Sequence, residues 1–205
     1  FGIKYNLSNF DLNKYGFNHV TSEKTMGLYQ NNNASQLAIL TDGIYKNIDF
    51  TVNTLDNQTS LLNALSGLNL NYFKRAPSQL FDKDAKSLNQ RVAKNVSNSN
   101  IDFVTITYRV IAPPHSQLYV SVPNISWSDD NNHSLSITVN GVTRNQVTDN
   151  TFDFFDLGYF ETESMVTIKL SFPGNKAISF DNPSFYALDT KNYQIAMDKI
   201  GRAHV

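Results

Sequence analysis

The stretch Ser134-Leu-Ser-Ile-Thr-Val-Asn-Gly-Val142 decides the fold of the second half of this chain. Every second residue from 135 to 139 is apolar, which is the pattern of a strand with one buried face. Asn140-Gly141 is the strongest short hairpin signal, because a type I′ turn needs two residues that accept positive φ. The stretch therefore predicts two antiparallel strands joined by a tight turn.

Further strand-like segments lie on both sides of this hairpin. They cover residues 103–111, 117–122, a run starting at Phe152, 165–172 and 178–188. Proline and glycine turns separate them, at Pro113-Pro114 and at Pro173-Gly174. About seven short strands of this kind are typical of a β-sandwich, of jelly-roll or immunoglobulin-like type. We expect that sandwich over residues 99–188, with the polar segment 95–100 as its boundary.

Residues 1–98 predict an α+β segment. Together with the β-sandwich expected over residues 99–188, this makes the whole chain mostly β. Short apolar runs at 2–7, 27–29 and 37–40 predict strands between turns. Residues 68–73 alternate between apolar and polar side chains. Residues 77–94 are polar and weakly patterned, which predicts a surface loop or a marginal helix.

Residues 53–67, Asn-Thr-Leu-Asp-Asn-Gln-Thr-Ser-Leu-Leu-Asn-Ala-Leu-Ser-Gly, predict a short capped helix. Asp56 is the predicted N-cap, and Gly67 is the predicted left-handed residue that closes the last turn. Asn63 and Ser66 are expected to face water. Three leucines at helical spacing form the apolar stripe: Leu61, Leu62 and Leu65.

The same segment resembles the Asn-Pro-Phe-Glu-x-Gln-Asn-x-Leu-Leu-x-x-Leu-x-Gly segment in the extracellular part of YfhO-like bacterial membrane glycosyltransferases. Residues 1–5, Phe-Gly-Ile-Lys-Tyr, are similar to the family's Leu-Gly-Val-Lys-Tyr strand. Residues 29–34, Tyr-Gln-Asn-Asn-Asn-Ala, are similar to its Tyr-x-Asn-x-x-Ala-Leu-Pro segment. The three motifs occur in the family's order. The sequence departs from the family's motifs at three places. Thr54 stands where the family usually has Pro, Thr59 replaces the Asn that follows Gln58, and Ser35-Gln36 replaces Leu-Pro.

The second half of the chain resembles the first β-module of the family more loosely. The similar segments are 118–121 (Leu-Tyr-Val-Ser), 139–141 (Val-Asn-Gly) and 185–189 (Phe-Tyr-Ala-Leu-Asp). In the family a short helix follows and leads to a second β-module, whose Ser-Ile-Pro-Tyr-x-x-Gly-Trp motif does not occur here. Residues 189–199 are the expected start of that helix, capped by Asp189 or Thr190. Its packing residues are predicted to be Tyr193, Ile195 and Met197.

The resemblance implies a membrane glycosyltransferase that takes a sugar from a polyprenyl-phosphate carrier and places it on a cell-wall polymer such as lipoteichoic acid. The family's catalytic acid lies in an external loop near the first membrane spans, upstream of Phe1. This portion is therefore expected to lie on the extracellular face of the bacterial cell membrane and to hold no catalytic residue of its own. The implied partners are a cell-wall polymer or glycolipid acceptor and the transmembrane region of the same protein. No cofactor is implied.

Both ends of the chain suggest a fragment. The first residue is Phe1, so we expect the chain to begin inside a longer protein. The last six residues, Ile-Gly-Arg-Ala-His-Val, are what the common sequencing-adapter string ATCGGAAGAGCACACGTC encodes in one frame. We therefore expect residues 200–205 to be an adapter artefact and exclude them from the fold prediction.

Composition narrows the class of protein. The charge is nearly balanced, with 17 basic and 18 acidic side chains. The basic residues form no concentrated stripe, which disfavours a nucleic-acid partner. The chain has no cysteine, which excludes disulfides and fits an exported Gram-positive protein. The sequence contains no run of about twenty apolar residues, so it predicts no membrane-spanning helix.

The sequence offers few candidates for catalysis. It contains no nucleophile elbow, zinc helix, phosphate loop or dinucleotide motif. Asp153 and Asp156 are candidates for the two carboxylates of a glycosidase, but a position on a hairpin rim is the simpler interpretation of both. The histidines have no metal-ligand spacing. We predict neither a catalytic residue nor a metal site.

Aromatic and acidic residues of the second half are the candidate ligand-binding groups. Trp127, Tyr119 and Tyr159, together with Phe160, could form a platform on which a sugar stacks. The alternative is that the single Trp belongs to the core. Asp129 and Asp130 begin a polar loop that could offer oxygen ligands to Ca²⁺ or could simply be solvated.

Two further interpretations stay open at this point. Lys74-Arg75 could contact an anionic polymer or lipid headgroups. The whole chain could instead be a secreted carbohydrate-binding or adhesin-type β-sandwich module, because the fold alone does not distinguish the two functions.

Overall fold

The computed structural model describes residues 3–34, 43–51, 53–83, 88–89, 92–93, 103–127, 133–148, 154–173 and 178–202. The chain divides into two compact units. We call residues 1–74, 115–117 and 188–205 the N-terminal unit, and residues 75–114 and 118–187 the sandwich unit. The boundary predicted at 95–100 lies outside the described residues, and the domain limits based on it stay predictions.

Most of the regular structure is β, as predicted. The strands within the described ranges are β1 (Tyr5–Ser8), β2 (Phe17–Glu23), β3 (Met26–Asn31), β4 (Phe73–Arg75), β5 (Ser78–Lys83), β6 (Leu88–Asn89), β7 (Val92–Ala93), β8 (Phe103–Ala112), β9 (Ser116–Ser121), β10 (Ser126–Trp127), β11 (His133–Val139), β12 (Val142–Thr148), β13 (Phe154–Phe160), β14 (Ser164–Pro173), β15 (Ile178–Ser179) and β16 (Ser184–Asp189). The helices are α1 (Thr54–Ser66) and α2 (Thr190–Arg202), with a short 3₁₀ helix at Ile44–Asn47.

Two sheets form the sandwich. The five-stranded sheet has the order β12-β11-β14-β8-β5, and its neighbouring strands pair antiparallel. The four-stranded sheet has the order β13-β9-β16-β4. One buried cluster takes side chains from both sheets, including Val110, Ile137, Ile168 and Leu170 from the first and Leu118, Val120, Leu157 and Phe185 from the second. A single core shared by two sheets is the definition of a β-sandwich, which confirms the predicted fold class.

The predicted hairpin forms between β11 and β12. Val139 pairs with Val142, and the two turn residues between them have φ of 48° at Asn140 and 89° at Gly141. These are the positive φ angles of a type I′ turn. The Asn140 backbone N–H also donates to the Thr167 carbonyl at 3.0 Å, and the Asn140 Oδ1 accepts from the Thr167 N–H at 3.0 Å. The turn residue therefore ties the hairpin to β14.

Asn53, and not Asp56, caps the N-terminus of α1. Its Oδ1 accepts from the backbone N–H of Leu55 at 3.0 Å and of Asp56 at 3.2 Å. Asn53 has the extended backbone that an N-cap requires, with φ −90° and ψ 110°, whereas Asp56 already lies in the first turn. The other end is as predicted, because Gly67 adopts φ 69° and its N–H bonds the Asn63 carbonyl.

The prediction that Asn63 faces water is wrong. Its Nδ2 donates to the Leu70 carbonyl, and its Oδ1 accepts from the Leu70 N–H and from the Tyr72 hydroxyl, each at 3.0 Å. The amide thus supplies the backbone partner that residues 68–72 would otherwise find in a neighbouring strand. Of the alternating residues 68–73, only Phe73 lies in a strand, at the start of β4. Leu62 of the predicted stripe is buried with Leu55, while Leu61 and Leu65 are half-buried.

Other strands differ from the prediction because pairing across the sheet overrides local pattern. The segment 77–94 was expected to be a loop or marginal helix, yet it contributes β5, β6 and β7. β5 follows the edge of β8, where Gln79 pairs with Arg109, and a register shift occurs before Asp82. The single strand expected at 178–188 is two strands, β15 and β16, and β2 was not predicted at all. The strand predicted at 37–40 lies outside the described residues.

Helix α2 begins as predicted. The Asp189 carboxylate accepts from the Asn192 N–H at 3.1 Å, and the Thr190 hydroxyl donates to the His115 carbonyl at 2.6 Å. Met197 is buried as expected, but Ile195 is exposed because Ala196 and Ile200 occupy the buried side. The helix continues to Arg202, so it includes the start of the segment attributed to an adapter. That attribution stays a prediction.

Candidate functional site

A row of three aromatic side chains lies on the outer face of the four-stranded sheet. The rings belong to Tyr119 of β9, Phe154 of β13 and Tyr186 of β16. Their sequence neighbours Leu118, Val120, Phe155, Phe185 and Ala187 are buried in the sandwich core. Because successive side chains of a strand point to opposite faces, the three rings lie on the outside. We call them the aromatic row.

The rings of the aromatic row contact one another across three neighbouring strands. Tyr119 and Phe154 are stacked, with centroids 5.0 Å apart and planes inclined by 21°. Phe154 and Tyr186 are tilted, with centroids 6.4 Å apart and an angle of 40°. All three side chains are half-buried. The row is therefore a partly exposed aromatic cluster with two phenolic hydroxyl groups, and it lies on strands that the core holds in place.

Polar groups surround the aromatic row on the same face of the sheet. Asp156 follows Phe154 by two residues, and its Oδ1 accepts from the Gly158 N–H at 2.8 Å. Ser184 precedes Tyr186 by two residues, and its hydroxyl accepts from the Arg75 guanidinium at 2.8 Å. An aromatic surface with hydrogen-bonding groups at its edge is suited to a ligand with both apolar faces and hydroxyl groups, such as a sugar.

Trp127 does not belong to this surface. Its side chain is 1% exposed and packs in the sandwich core beside Phe172, with ring centroids 6.5 Å apart. The indole N–H donates to the Thr148 hydroxyl at 2.8 Å, which satisfies the one polar atom of the ring. A ring buried to this degree cannot stack on a sugar. Trp127 is therefore a core residue and not part of a sugar-binding platform.

Tyr119 is brought together with Phe154 and Tyr186, and not with Trp127. Tyr159 lies further along β13 and donates its hydroxyl to the Glu161 carboxylate. Phe160 packs against the core. The strand alternation changes at Gly158, whose φ of 112° is available to glycine and strained for other residues. Phe155 and Phe160 lie on opposite sides of Gly158, and strict alternation would place them on opposite faces. Because the alternation shifts at Gly158, both pack toward the core.

The remaining candidates do not add a catalytic group. Asp129, Asp130 and Asp153 lie outside the described residues. Among the residues that the structure describes, no three His, Cys, Asp or Glu side chains are grouped so that they could hold a metal ion. Lys74 is 3.6 Å from the Asp189 carboxylate, and its side chain is largely exposed. Such an exposed ion pair contributes about 0–1 kcal/mol to stability.

Burial raises the pKa of three tyrosines in the described part of the chain. The largest cause is desolvation for Tyr72, Tyr108 and Tyr193 alike. A hydrogen bond with Ser66 opposes the effect at Tyr72, and the nearby Tyr15 adds to it at Tyr193. These hydroxyls stay neutral at physiological pH.

The fold and the aromatic row together define a β-sandwich module with an aromatic outer face, carried on a chain with an additional α+β unit. The chain belongs to the family described as "Bacterial membrane protein YfhO", whose profile matches residues 1–205. This confirms the resemblance found in the sequence motifs. Of the two described helices, neither has the length and apolar character needed to cross a bilayer.

The other comparisons are weaker. No curated protein matches the sequence significantly. Among solved structures, a family two carbohydrate esterase from Cellvibrio japonicus is similar at 11% identity and a TM-score of 0.29, over 55% of this chain and 33% of that protein. The matched part is about one third of the esterase, and the score is too low to support an argument about fold or function.

Proposed function

We propose that this chain is a non-catalytic, outward-facing part of a YfhO-family membrane glycosyltransferase, and that its aromatic row binds the acceptor polymer. The observation that carries the proposal is the aromatic row of Tyr119, Phe154 and Tyr186, with ring centroids 5.0 and 6.4 Å apart on the outer face of the four-stranded sheet. Flat aromatic surfaces can cover the apolar face of a sugar ring while hydroxyl groups keep their hydrogen bonds at the edge.

Membership of a family of bacterial membrane proteins supports the location. In the architecture that the family resemblance implies, a sugar moves from a polyprenyl-phosphate carrier to a cell-wall polymer such as lipoteichoic acid on the extracellular face. We assign the bond-making step to the external loop near the first membrane spans, where the family resemblance places the catalytic acid. The transmembrane region of the family protein is a proposed partner of this chain. The chain itself supplies binding energy and orientation, because holding an acceptor in place lowers the entropic part of a transfer barrier.

The β4 end of the aromatic row offers a cation to an anionic acceptor, while the Asp156 carboxylate lies at the opposite, β13 end. Arg75 is exposed and is positioned by its bond to the Ser184 hydroxyl. A guanidinium presents several N–H donors in a plane and forms strong charge-assisted bonds with phosphate. We therefore propose lipoteichoic acid, which carries both sugar and phosphate groups, as the acceptor class.

The rival function is a secreted carbohydrate-binding or adhesin-type module, which could use the same aromatic row. The two are distinguished in cells that carry the full-length family protein. If Tyr119→Ala lowers polymer glycosylation while the amount of protein in the membrane is unchanged, the transferase proposal is supported. Unchanged glycosylation in that strain, combined with lost binding in solution, would support the rival.

The direct test is calorimetric titration of the chain with lipoteichoic acid from which the acyl chains have been removed. We expect Tyr119→Ala to weaken binding by about five- to thirtyfold, corresponding to about 1–2 kcal/mol for one well-placed aromatic contact. Tyr119→Phe keeps the ring and should bind almost as the parent chain does. Tyr159→Ala is the matched control, because Tyr159 is also a half-buried tyrosine of the four-stranded sheet.

Two results would contradict the proposal. Parent-like affinity in both Tyr119→Ala and Tyr186→Ala would show that the aromatic row is not the binding surface. An equal loss in Tyr159→Ala would show that the effect is not specific to the row.

A further inference from the structure

The sheet of the N-terminal unit, in the order β1-β3-β2, has one buried and one exposed face. Tyr29 and Gly27 of β3 are buried, and Ser8 of β1, which pairs with Gly27, lies on the same side. Tyr5 and Leu7 point to the opposite side, where Leu7 pairs directly with Leu28. The sheet therefore packs through its first face and leaves its second face to solvent.

This second face carries apolar side chains on β1 and β3, and it also carries Gln30 of β3 and Thr21 and Glu23 of β2. Leu7 is 69% exposed, and Ile3, which lies two residues before the start of β1, is 62% exposed. Tyr5 and Met26 are exposed as well, and Leu28 is half-buried between them. We call these five side chains the apolar face. Single exposed apolar residues are ordinary, but five on one side of a small sheet indicate a surface that is covered in the working protein.

We propose that the apolar face rests on the phospholipid bilayer. The chain belongs to a family of bacterial membrane proteins, so a bilayer is within reach of the family protein. The side chains also have the composition of an interfacial contact, in which aliphatic groups enter the acyl boundary and tyrosine sits at headgroup level.

The charges beside the apolar face agree with a lipid surface. The Lys4 ammonium lies 5.7 Å from the centroid of the Tyr5 ring, so this lysine extends along the aromatic side chain. Lys24 is exposed in the turn between β2 and β3, with Glu23 beside it. The two lysines lie at opposite ends of the sheet, because Tyr5 pairs with Gln30 and Ser8 pairs with Gly27. Long lysine stems can lie on apolar surface while each ammonium stays in water at the level of anionic headgroups.

The contact is expected to be weak and reversible. A few aliphatic side chains do not anchor a protein stably to a membrane. A weak contact is sufficient in the family protein, because attachment to the membrane raises the effective concentration of the lipid surface. The inference concerns the N-terminal unit and does not depend on the aromatic row or on the proposed acceptor.

Vesicle flotation tests the proposal with the whole chain. The probes are vesicles of phosphatidylcholine alone and vesicles that also contain phosphatidylglycerol. We expect the parent chain to float with both, and more strongly with the anionic vesicles. The double variant Ile3→Ser/Leu7→Ser should reduce the partition coefficient by about tenfold or more for each lost side chain.

The chain offers a matched control. Val142 and Val147 of β12 are 64% and 67% exposed, close to the values for Ile3 and Leu7. Val142→Ser/Val147→Ser removes a comparable exposed apolar area from the sandwich unit and should leave flotation unchanged. Leu7→Phe should retain flotation, which separates loss of apolar contact from loss of folding, and circular dichroism checks the fold of each variant.

Three outcomes would overturn the proposal. The parent chain could fail to float with either vesicle, the control variant could lose as much flotation as the test variant, or the test variant could float like the parent. If the parent instead forms dimers that Ile3→Ser/Leu7→Ser abolishes, and does not bind vesicles, the apolar face is an interface between copies of the chain.

Discussion

Replacing Asn63 by alanine should destabilise the N-terminal unit far more than an ordinary helix-surface substitution. The side-chain amide makes three hydrogen bonds of 3.0 Å, two to the backbone of Leu70 and one to the hydroxyl of Tyr72. Tyr72 is completely buried, so its hydroxyl depends on partners inside the protein.

The magnitude follows from the number of bonds. At about 1 kcal/mol of net stability for each bond, the loss is about 3 kcal/mol. Asn63 is only half-buried, so water reaches part of the vacated site, and Ser66 also bonds the Tyr72 hydroxyl. We therefore expect Asn63→Ala to lower the free energy of unfolding by about 2 kcal/mol, or about thirtyfold in the unfolding equilibrium.

Urea unfolding followed by two signals provides the assay. Helices α1 and α2 both belong to the N-terminal unit, so far-ultraviolet circular dichroism reports mainly on that unit. Trp127 is the single tryptophan of the chain and lies in the core of the sandwich unit, so its fluorescence reports on the other unit. Asn69→Ala is the control, because Asn69 is exposed and its replacement should change stability by less than about 0.5 kcal/mol.

Asn63→Asp refines the test. The aspartate keeps the oxygen that accepts from Leu70 and Tyr72 but loses the donor to the Leu70 carbonyl. Its second carboxylate oxygen then faces the Leu70 carbonyl, so two acceptors oppose each other and the cost should be at least that of Asn63→Ala, about 2 kcal/mol. A cost below about 0.5 kcal/mol for Asn63→Ala, or one equal to that of Asn69→Ala, would refute the role given to this amide.

Three further predictions concern single positions. Trp127→Phe should lower stability by about 1–3 kcal/mol, because it removes the buried bond to Thr148 and leaves space in the core, and thermal unfolding would show no change if the ring were not a core element. Gly67→Ala should cost about 1–2 kcal/mol in urea unfolding because its φ of 69° is left-handed, and the open space around the new methyl group excludes a clash as the reason. Burial raises the pKa of Tyr108, so the folded chain keeps its proton where the unfolded chain has lost it. The stability contributed by this tyrosine is therefore complete below its ordinary pKa of about 10 and is lost as the pH rises above it, and Tyr108→Phe should show a smaller loss of stability at high pH than the parent.

The candidate site could be predicted from the sequence only in part. The sequence names Tyr119 as a member of a candidate aromatic platform, because aromatic rings offer apolar faces with polar edges. Phe154 and Tyr186 were missed as its partners. The signal for both was present, since each alternates with a residue that enters the core, but the order β13-β9-β16 that brings them together depends on pairing between strands distant in the chain.

Local chemistry was sufficient wherever neighbours in the sequence determine the structure. The alternation at residues 135–139, the Asn140-Gly141 turn and the glycine that ends α1 formed as predicted, because each depends on backbone preferences within a few residues. The order of the family motifs likewise identified the family from the sequence alone.

Tertiary structure decided the features that depend on distant partners. Residues 78–83 are a poor strand by composition, yet they form β5 because β8 offers an open edge. Trp127 is buried because its ring packs against Phe172 of β14 and its N–H donates to the Thr148 hydroxyl. Asn63 faces inward because Leu70 and Tyr72 need its amide. In each case the free energy of a long-range contact exceeds the weak local preference, and that contact exists only after the chain has folded.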